Sequence, residues 1–342
     1  MTDRVFPTSF SRRSPLRRSR SGLALLALLL AQAAQAQVCP NRGELDEDYC
    51  DANRDLVADA PKTLRNPERL VLGISSVEDA QTAMKTYAPF IDHLKTCLKK
   101  DVLLHPPVGE SNVLEGMRSG QVHVGQFATG GTMYAVNFAG AVPFVGKGPL
   151  LTGKRDTYTL MLIVRADSPY QKPVDLQGRQ IAHTSVTSNS GNLAPRALFP
   201  ELGLTPEKDY KVVFSGKHDR SIMGVQIGLY DAAAVASDVF ERLIARGEIK
   251  RNQFRVVYES EDFPPDAFSH AHDLDPRLVA DLKKCVYDFR FPDAMSRLLE
   301  NNDRFFPVDY ARDWKLVRQI AKASGTQMTK AAYQSMVVDR KK

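Results

Sequence analysis

The chain has 342 residues, 43% hydrophobic and 25% charged, with four cysteines and a formal net charge of +6. Residues 1–36 hold six arginines and one aspartate, +5 of that total, so the rest of the chain is left at +1. A balance so near neutral excludes nucleic acid or an anionic membrane surface as the partner, and the length beyond residue 36 suffices for two domains with cores of their own.

The first 36 residues read as a cleavable secretory signal peptide. Arg12, Arg13, Arg17, Arg18 and Arg20 form a positive region, 23–30 (LALLALLL) an apolar one, and Ala34-Gln35-Ala36 a small-residue cleavage site before Gln37. The apolar run is far shorter than the ~20 residues that span a bilayer, and no later segment could span one, so the cleaved product is not membrane-inserted. Arg12-Arg13 leaves both the twin-arginine and the general secretory route open. Cys39 follows Gln37-Val38, not the small residues of a lipoprotein site. All four cysteines meet an oxidising compartment. Cys39 and Cys50, close together in a polar stretch, are expected to pair. Cys97 and Cys285 then either pair too or stay as buried free thiols.

Residues 37–66 are polar and Asp-rich and read as a tethered extension. Within them Asp51, Asn53, Asp55 and Asp59 have part of the spacing of a calcium loop, but Leu56 and Lys62 stand where glycine and the last carboxylate belong, so solvated surface is the favoured reading. Strands and helices then alternate. A strand at 70–74 leads to a helix over 79–98 with Ala83, Tyr87, Phe90, Ile91 and Leu94 at helical spacing. A strand at 102–104 precedes a helix around Val113 and Met117, stopped at Gly120. A strand at 122–127 enters the glycine-rich loop 128–132. Further strands are expected at 157–164, 180–183, 212–215, 232–236 and 254–258, with helices after about Ser190 and up to about Gly228. From Asp275 onward the chain reads as helical and includes the single tryptophan, Trp314. The pattern predicts an α/β protein of two lobes around a cleft. Residues 67–157 and 258–342 form lobe I, 158–257 form lobe II, and the chain crosses twice, after Arg155 and after Tyr258.

In such sheets ligands bind beyond the carboxyl ends of the strands, and polar loops stand at each of these. The stretch 183–192 (HTSVTSNSGN) opens a helix, where unpaired N–H groups and hydroxyls suit an anion; an ordinary serine cap explains it equally well. Ser215-Gly216-Lys217-His218-Asp219 offers a histidine at a second strand end, against the plain alternative of a surface histidine. Ser237-Asp238 offers a carboxylate that accepts from a protonated ligand oxygen or an amine, or else caps the next helix. Lobe I adds Ser75-Ser76 and Phe127-Ala128-Thr129-Gly130, with Thr129 and Thr132 as donors.

These loops together resemble the phosphate/phosphite/phosphonate family of ABC-transporter substrate-binding proteins, over about 70–319. Four places carry the resemblance: Gly-Ile-Ser-Ser at 73–76; Phe127-Ala128-Thr129-Gly130; Ser188-Asn189-Ser190-Gly191; and Gly-Lys-His-Asp at 216–219 followed by Ala-Val-Ala-Ser-Asp at 234–238. It implies a type II periplasmic binding protein fold, a monomer in the periplasm that closes over a tetrahedral oxyanion and meets an inner-membrane ABC permease, without a cofactor. It places Ser188, Asn189 and Ser190 on the anion-cradling loop and His218 on the ligand histidine. Asp238 falls on an acid at a strand end, and Asp266 where a second acid faces the ligand's substituent. Ser76, Phe127 and Thr129 complete the expected site from lobe I, and Tyr134 is expected on the wall facing the substituent. The chain departs in Phe127, where relatives often carry a tyrosine, in Asn189 for threonine, and in the extension from Cys39 to Pro61. With that extension, 189–200 is similar to a subgroup of periplasmic proteins that report arsenite to a sensor kinase. Such relatives implicate a cysteine, and no cysteine lies in the expected cleft loops here.

The resemblance therefore implies an oxyanion-binding protein of an importer, with a sensor subunit signalling to a membrane histidine kinase as the alternative. A hydrolase using Ser190, His218 and Asp238 is disfavoured, because no G-x-S-x-G elbow is present. His270 and His272, with Asp273 and Asp275, do not make a complete metal ligand set.

Overall fold

The computed structural model describes residues 39–75, 80–105, 109–153, 156–299 and 301–338. The expected signal peptide lies outside them, as does Ser76. No helix among the described residues is long and apolar enough to cross a membrane.

The elements run β1 (Arg69–Ile74), α1 (Ala80–Leu98), β2 (Asp101–Leu104), α2 (Glu110–Arg118), β3 (Val124–Phe127), α3 (Thr129–Ala139) and β4 (Ala141–Gly148). The chain then passes to β5 (Leu160–Arg165), β6 (Gln180–His183), α4 (Ala194–Leu198), β7 (Lys211–Phe214), α5 (His218–Gln226), β8 (Ala232–Ala236), α6 (Ser237–Ala245) and β9 (Phe254–Glu259). It returns with β10 (Ala267–Ala271), α7 (Pro276–Asp288), α8 (Asp293–Leu298), β11 (Arg304–Pro307), α9 (Tyr310–Asp313), α10 (Lys315–Ala323) and α11 (Lys330–Val338).

Two mixed sheets result. The first, in lobe I, has the order β11-β4-β10-β3-β1-β2, and the second, in lobe II, β7-β6-β8-β5-β9. β1 pairs parallel with β2 and β3, and β6 parallel with β7 and β8, as crossover helices require. β10 and β5 run antiparallel to their neighbours. The chain enters the second sheet at β5 and leaves it towards β10. The two crossings lie side by side, joined by an antiparallel bridge between Tyr158 and Phe263 with backbone bonds of 2.7 and 3.2 Å.

Several elements were not legible in the sequence. The glycine-rich stretch after β3 is not a loop but the first turn of α3, a helix buried along its whole length and therefore without an amphipathic signature. The segment after Asp275 is not helical throughout, since β11 interrupts it. β4 and β10 were missed as well; β10 reads AFSHA and is buried on both faces, so alternation is absent.

The packing after β11 also differs from a simple return to lobe I. Tyr310, Trp314, Val317 and Ile320 share one buried cluster with Leu160, Leu162, Leu193 and Phe199 of lobe II and with Met133 and Val136 of α3. Leu45 and Ala58 of the N-terminal extension join it. That extension is thus anchored rather than merely tethered: Arg65 forms a two-bond pair with Asp273 at 2.7 Å and donates to the Gly120 carbonyl. The carboxylates of Asp51 and Asp59 are spent on their own turn. Asp51 accepts from the N–H groups of Asp55 and Leu56, and Asp59 from that of Ala52.

Cys97 at the end of α1 bonds to Cys285 in α7, across 188 residues. Cys39 and Cys50 are likewise disulfide-bonded. The metal candidates are also in structural use: Asp273 holds Arg65, Asp275 caps α7 by accepting from Arg277 and Leu278, and His272 stacks edge-on against Tyr49.

Candidate functional site

A cavity of about 480 Å³ lies between the sheets, where the strand ends of both lobes converge. Of the expected residues it is lined by Thr129, Ser188, Asn189, Ser190, His218, Asp238 and Asp266. Phe127 is not among them. It is fully buried in a cluster with Val113, Leu114, Met117 and Tyr134, so both Phe127 and Tyr134 serve the core of lobe I rather than the cavity wall. Their neighbour Gln126 and the aromatic side chains of Tyr87 and Tyr158 line the cavity instead.

The lobe II half is built from three successive strand ends. After β6 the chain makes a single π turn over Asn189–Leu193, a wide turn that recurs at functional sites. Ser188 caps it, its Oγ accepting from the Gly191 N–H at 3.0 Å. Only glycine fits at 191, because a Cβ there would lie 1.8 Å from Thr184 Oγ1. His218 opens α5, and its Nδ1 accepts from the Ala236 N–H at 3.1 Å. A backbone N–H only donates, so the histidine proton sits on Nε2, 3.2 Å from Ser188 Oγ. Burial pushes the His218 pKa down to about 4, which keeps the ring neutral. Ser188 Oγ thus accepts twice and keeps its own proton to donate. Ser190 is buried beside it.

Tyr158, on the first crossing, accepts from Asn189 Nδ2 at 3.2 Å, and burial pushes its phenol up to about 12, so it too stays a donor. Asp238 lies in the first turn of α6 and is not its cap, which is Ala236. Its Oδ2 is 4.0 Å from Arg242, and its Oδ1 is buried without a hydrogen-bond partner. A buried acceptor in that condition calls for a donor from a ligand.

The lobe I half carries a charge pair that sequence reading missed. Lys147, at the end of β4, is 2.7 Å from Asp266, which also accepts from Gln126 Nε2. Burial opposes ionisation of Asp266, and the Lys147 ammonium beside it overrides that and holds the carboxyl below its ordinary range. Thr129 Oγ1 donates to the Pro264 carbonyl at 2.8 Å. Glu110, also missed, reaches the wall from the first turn of α2. Apolar spacing flags none of these, since each depends on a neighbour far away in the chain.

This arrangement suits an oxyanion held by neutral donors. It does not suit hydrolysis. His218 faces Ser188 rather than Ser190, and its other nitrogen is held by a backbone N–H rather than a carboxylate, so no nucleophile, base and orienting acid stand in line.

Two α/β lobes joined by paired crossings around a polar cavity define a type II periplasmic binding protein. Residues 72–313 match the family described as ABC transporter, phosphonate, periplasmic substrate-binding protein, and the chain belongs to that family. It is similar to the phosphate-import protein PhnD of Mycolicibacterium smegmatis, 25% identical over 228 residues, 64% of this chain and 70% of that protein. Among solved structures it resembles a binding protein component of an ABC phosphonate transporter from Pseudomonas aeruginosa, at a TM-score of 0.63 and 18% identity, covering 80% of this chain and 97% of that one. It also resembles PhnD1 from Prochlorococcus marinus in complex with methylphosphonate, at a TM-score of 0.65 and 18% identity, covering 75% and 98%. The family is one of substrate-binding proteins of transporters, not of enzymes.

Proposed function

We propose that this protein is exported to the periplasm, loses residues 1–36, and captures a small tetrahedral oxyanion for an ABC importer. Phosphonate, phosphite and phosphate are the ligand class. The observation that carries this reading is the fixed tautomer of His218: its Nε2–H donates to Ser188 Oγ, which leaves the Ser188 hydroxyl proton to donate to a ligand beside the buried Ser190. Neutral donors recognise an oxyanion by geometry. Of the cations that line the cavity, Lys147 and Arg242 face carboxylates of its wall. The orphaned Oδ1 of Asp238 supports a ligand that brings a donor of its own, a P–OH group or an amine on the substituent. The family and the relatives named above are transporter components, and none favours the kinase-sensor alternative.

Calorimetric titration of the processed protein with methylphosphonate, phosphite, phosphate and an aminoalkylphosphonate tests the reading. Saturable binding of at least one, lost in the double variant Ser190→Ala/His218→Ala, is the expected result. Absence of heat and of thermal stabilisation with all four would sink it.

A further inference from the structure

Glu110 lines the same cavity and takes no part in the anion cradle. It leaves α2 in lobe I, and its Oε2 accepts from Thr187 Oγ1 of lobe II at 3.1 Å while its Oε1 accepts from the Ala128 N–H at 3.2 Å. The approach is close. A Cβ on Gly131 would lie 1.7 Å from Glu110 Oε1, and one on Gly130 would lie 1.9 Å from the Thr187 carbonyl oxygen. Gly130 and Gly131 of the glycine-rich stretch therefore make room for the facing lobe and for this carboxyl. Thr187 directly precedes Ser188, so an anion on the 188–190 loop would be a close neighbour of Glu110.

We propose that Glu110 is a specificity-determining residue of this cavity, a carboxyl shared by both lobes that takes a proton from solvent as the anion enters. The inference rests on the oxyanion reading of the cavity. Burial opposes ionisation of Glu110 and only its two hydrogen bonds support it, so its pKa is already pushed up to about 7. Among the described residues, the ionisable group that faces it is the phenol of Tyr134 on α3, on which Tyr333 packs from α11; the Thr187 loop brings only hydroxyls. A bound anion adds like charge and moves the equilibrium further towards the protonated acid. The contact with Thr187 survives, because a hydroxyl accepts from a carboxylic acid as readily as it donates to a carboxylate. The ionised form of Glu110, by contrast, repels a dianion more than a monoanion.

The test is calorimetry with methylphosphonate and inorganic phosphate near pH 7, in ligand-free buffers of different ionisation heat, on the wild type and Glu110→Gln. Comparing the two proteins cancels the ligands' own protonation. The wild type is expected to take up more protons than E110Q, by roughly 0.3–0.5 per site, and to lose roughly three- to tenfold more affinity than E110Q between pH 6.5 and 8.5. Equal proton uptake by both overturns the proposal and leaves the oxyanion reading intact; absence of binding to the wild type overturns both. If E110Q does not fold, Thr187→Val serves. It removes one hydrogen bond to the carboxylate and is expected to move the midpoint of the pH profile upward, and an unmoved midpoint overturns the proposal.

Discussion

His218 shows how one backbone contact sets the chemistry of a site. The Ala236 N–H fixes its tautomer, burial keeps it uncharged, and the remaining N–H meets Ser188. His218→Ala or Ser190→Ala is expected to weaken anion binding by about 1–3 kcal/mol each, the range for hydrogen bonds to charged groups, read by calorimetry. Two further histidines are held neutral away from the cavity, and they make the fold sensitive to acid. His183, bonded to Asn192 and Tyr210, and His270 both have pKa values pushed down by burial to about 4. The unfolded chain protonates them near 6.5, so it binds more protons than the native state between pH 6.5 and 4. Stability is therefore full above pH 6.5 and falls as pH drops towards 4, by on the order of 1–3 kcal/mol per histidine. Urea midpoints at pH 7, 5.5 and 4.5 check this, and a flat profile would contradict the buried neutral assignment.

At the scale of elements, the active loops are short because each is the link between a strand end and the next helix. The 188–193 turn, the head of α5 and the head of α6 are all built this way, which brings Ser188, His218 and Asp238 together from one sheet. α1 and α7 are held differently, by the Cys97–Cys285 bond between helices 188 residues apart. Closing so long a loop removes much of the unfolded chain's freedom. The double variant Cys97→Ser/Cys285→Ser is expected to lose about 2–5 kcal/mol of stability. Neither cysteine lines the cavity, so ligand affinity at a temperature where the variant is folded should be unchanged. A large loss of affinity would mean that the disulfide positions the site.

For the whole molecule, the contact between lobes is more than a hinge. Trp314 is fully buried, and its Nε1 donates to the Thr129 carbonyl at 2.9 Å, in the first turn of α3 and at the cavity edge. The cluster around it joins α3 to the core of lobe II. Trp314→Ala is expected to cost about 3–5 kcal/mol, as for other large core truncations. Because Trp314 is the only tryptophan, its fluorescence in the wild type should report ligand binding through Thr129. An emission unchanged at ligand saturation would mean that Thr129 and its surroundings do not respond to the ligand.

The sequence by itself determined the alternation of strands and helices and the residues that line the lobe II half of the cavity. Ser188, Asn189, Ser190, His218 and Asp238 were legible because each sits in the polar link or first helical turn that follows an apolar strand, and hydrogen bonds there are largely local. The lobe I half was legible only in part. Thr129 was named from its loop and Asp266 from the resemblance alone, whereas Phe127 and Tyr134 turned into the core, because a strand and a helix covered on both faces give no alternation from which to read direction. Lys147, Glu110 and Gln126 were decided by the tertiary structure. Asp266 meets Lys147 across 119 residues and Glu110 meets Thr187 across 77. The physical reason is that the partner of a buried charge depends on which strands become neighbours, and the order β11-β4-β10-β3-β1-β2 is settled by packing, not by any pattern within a single segment.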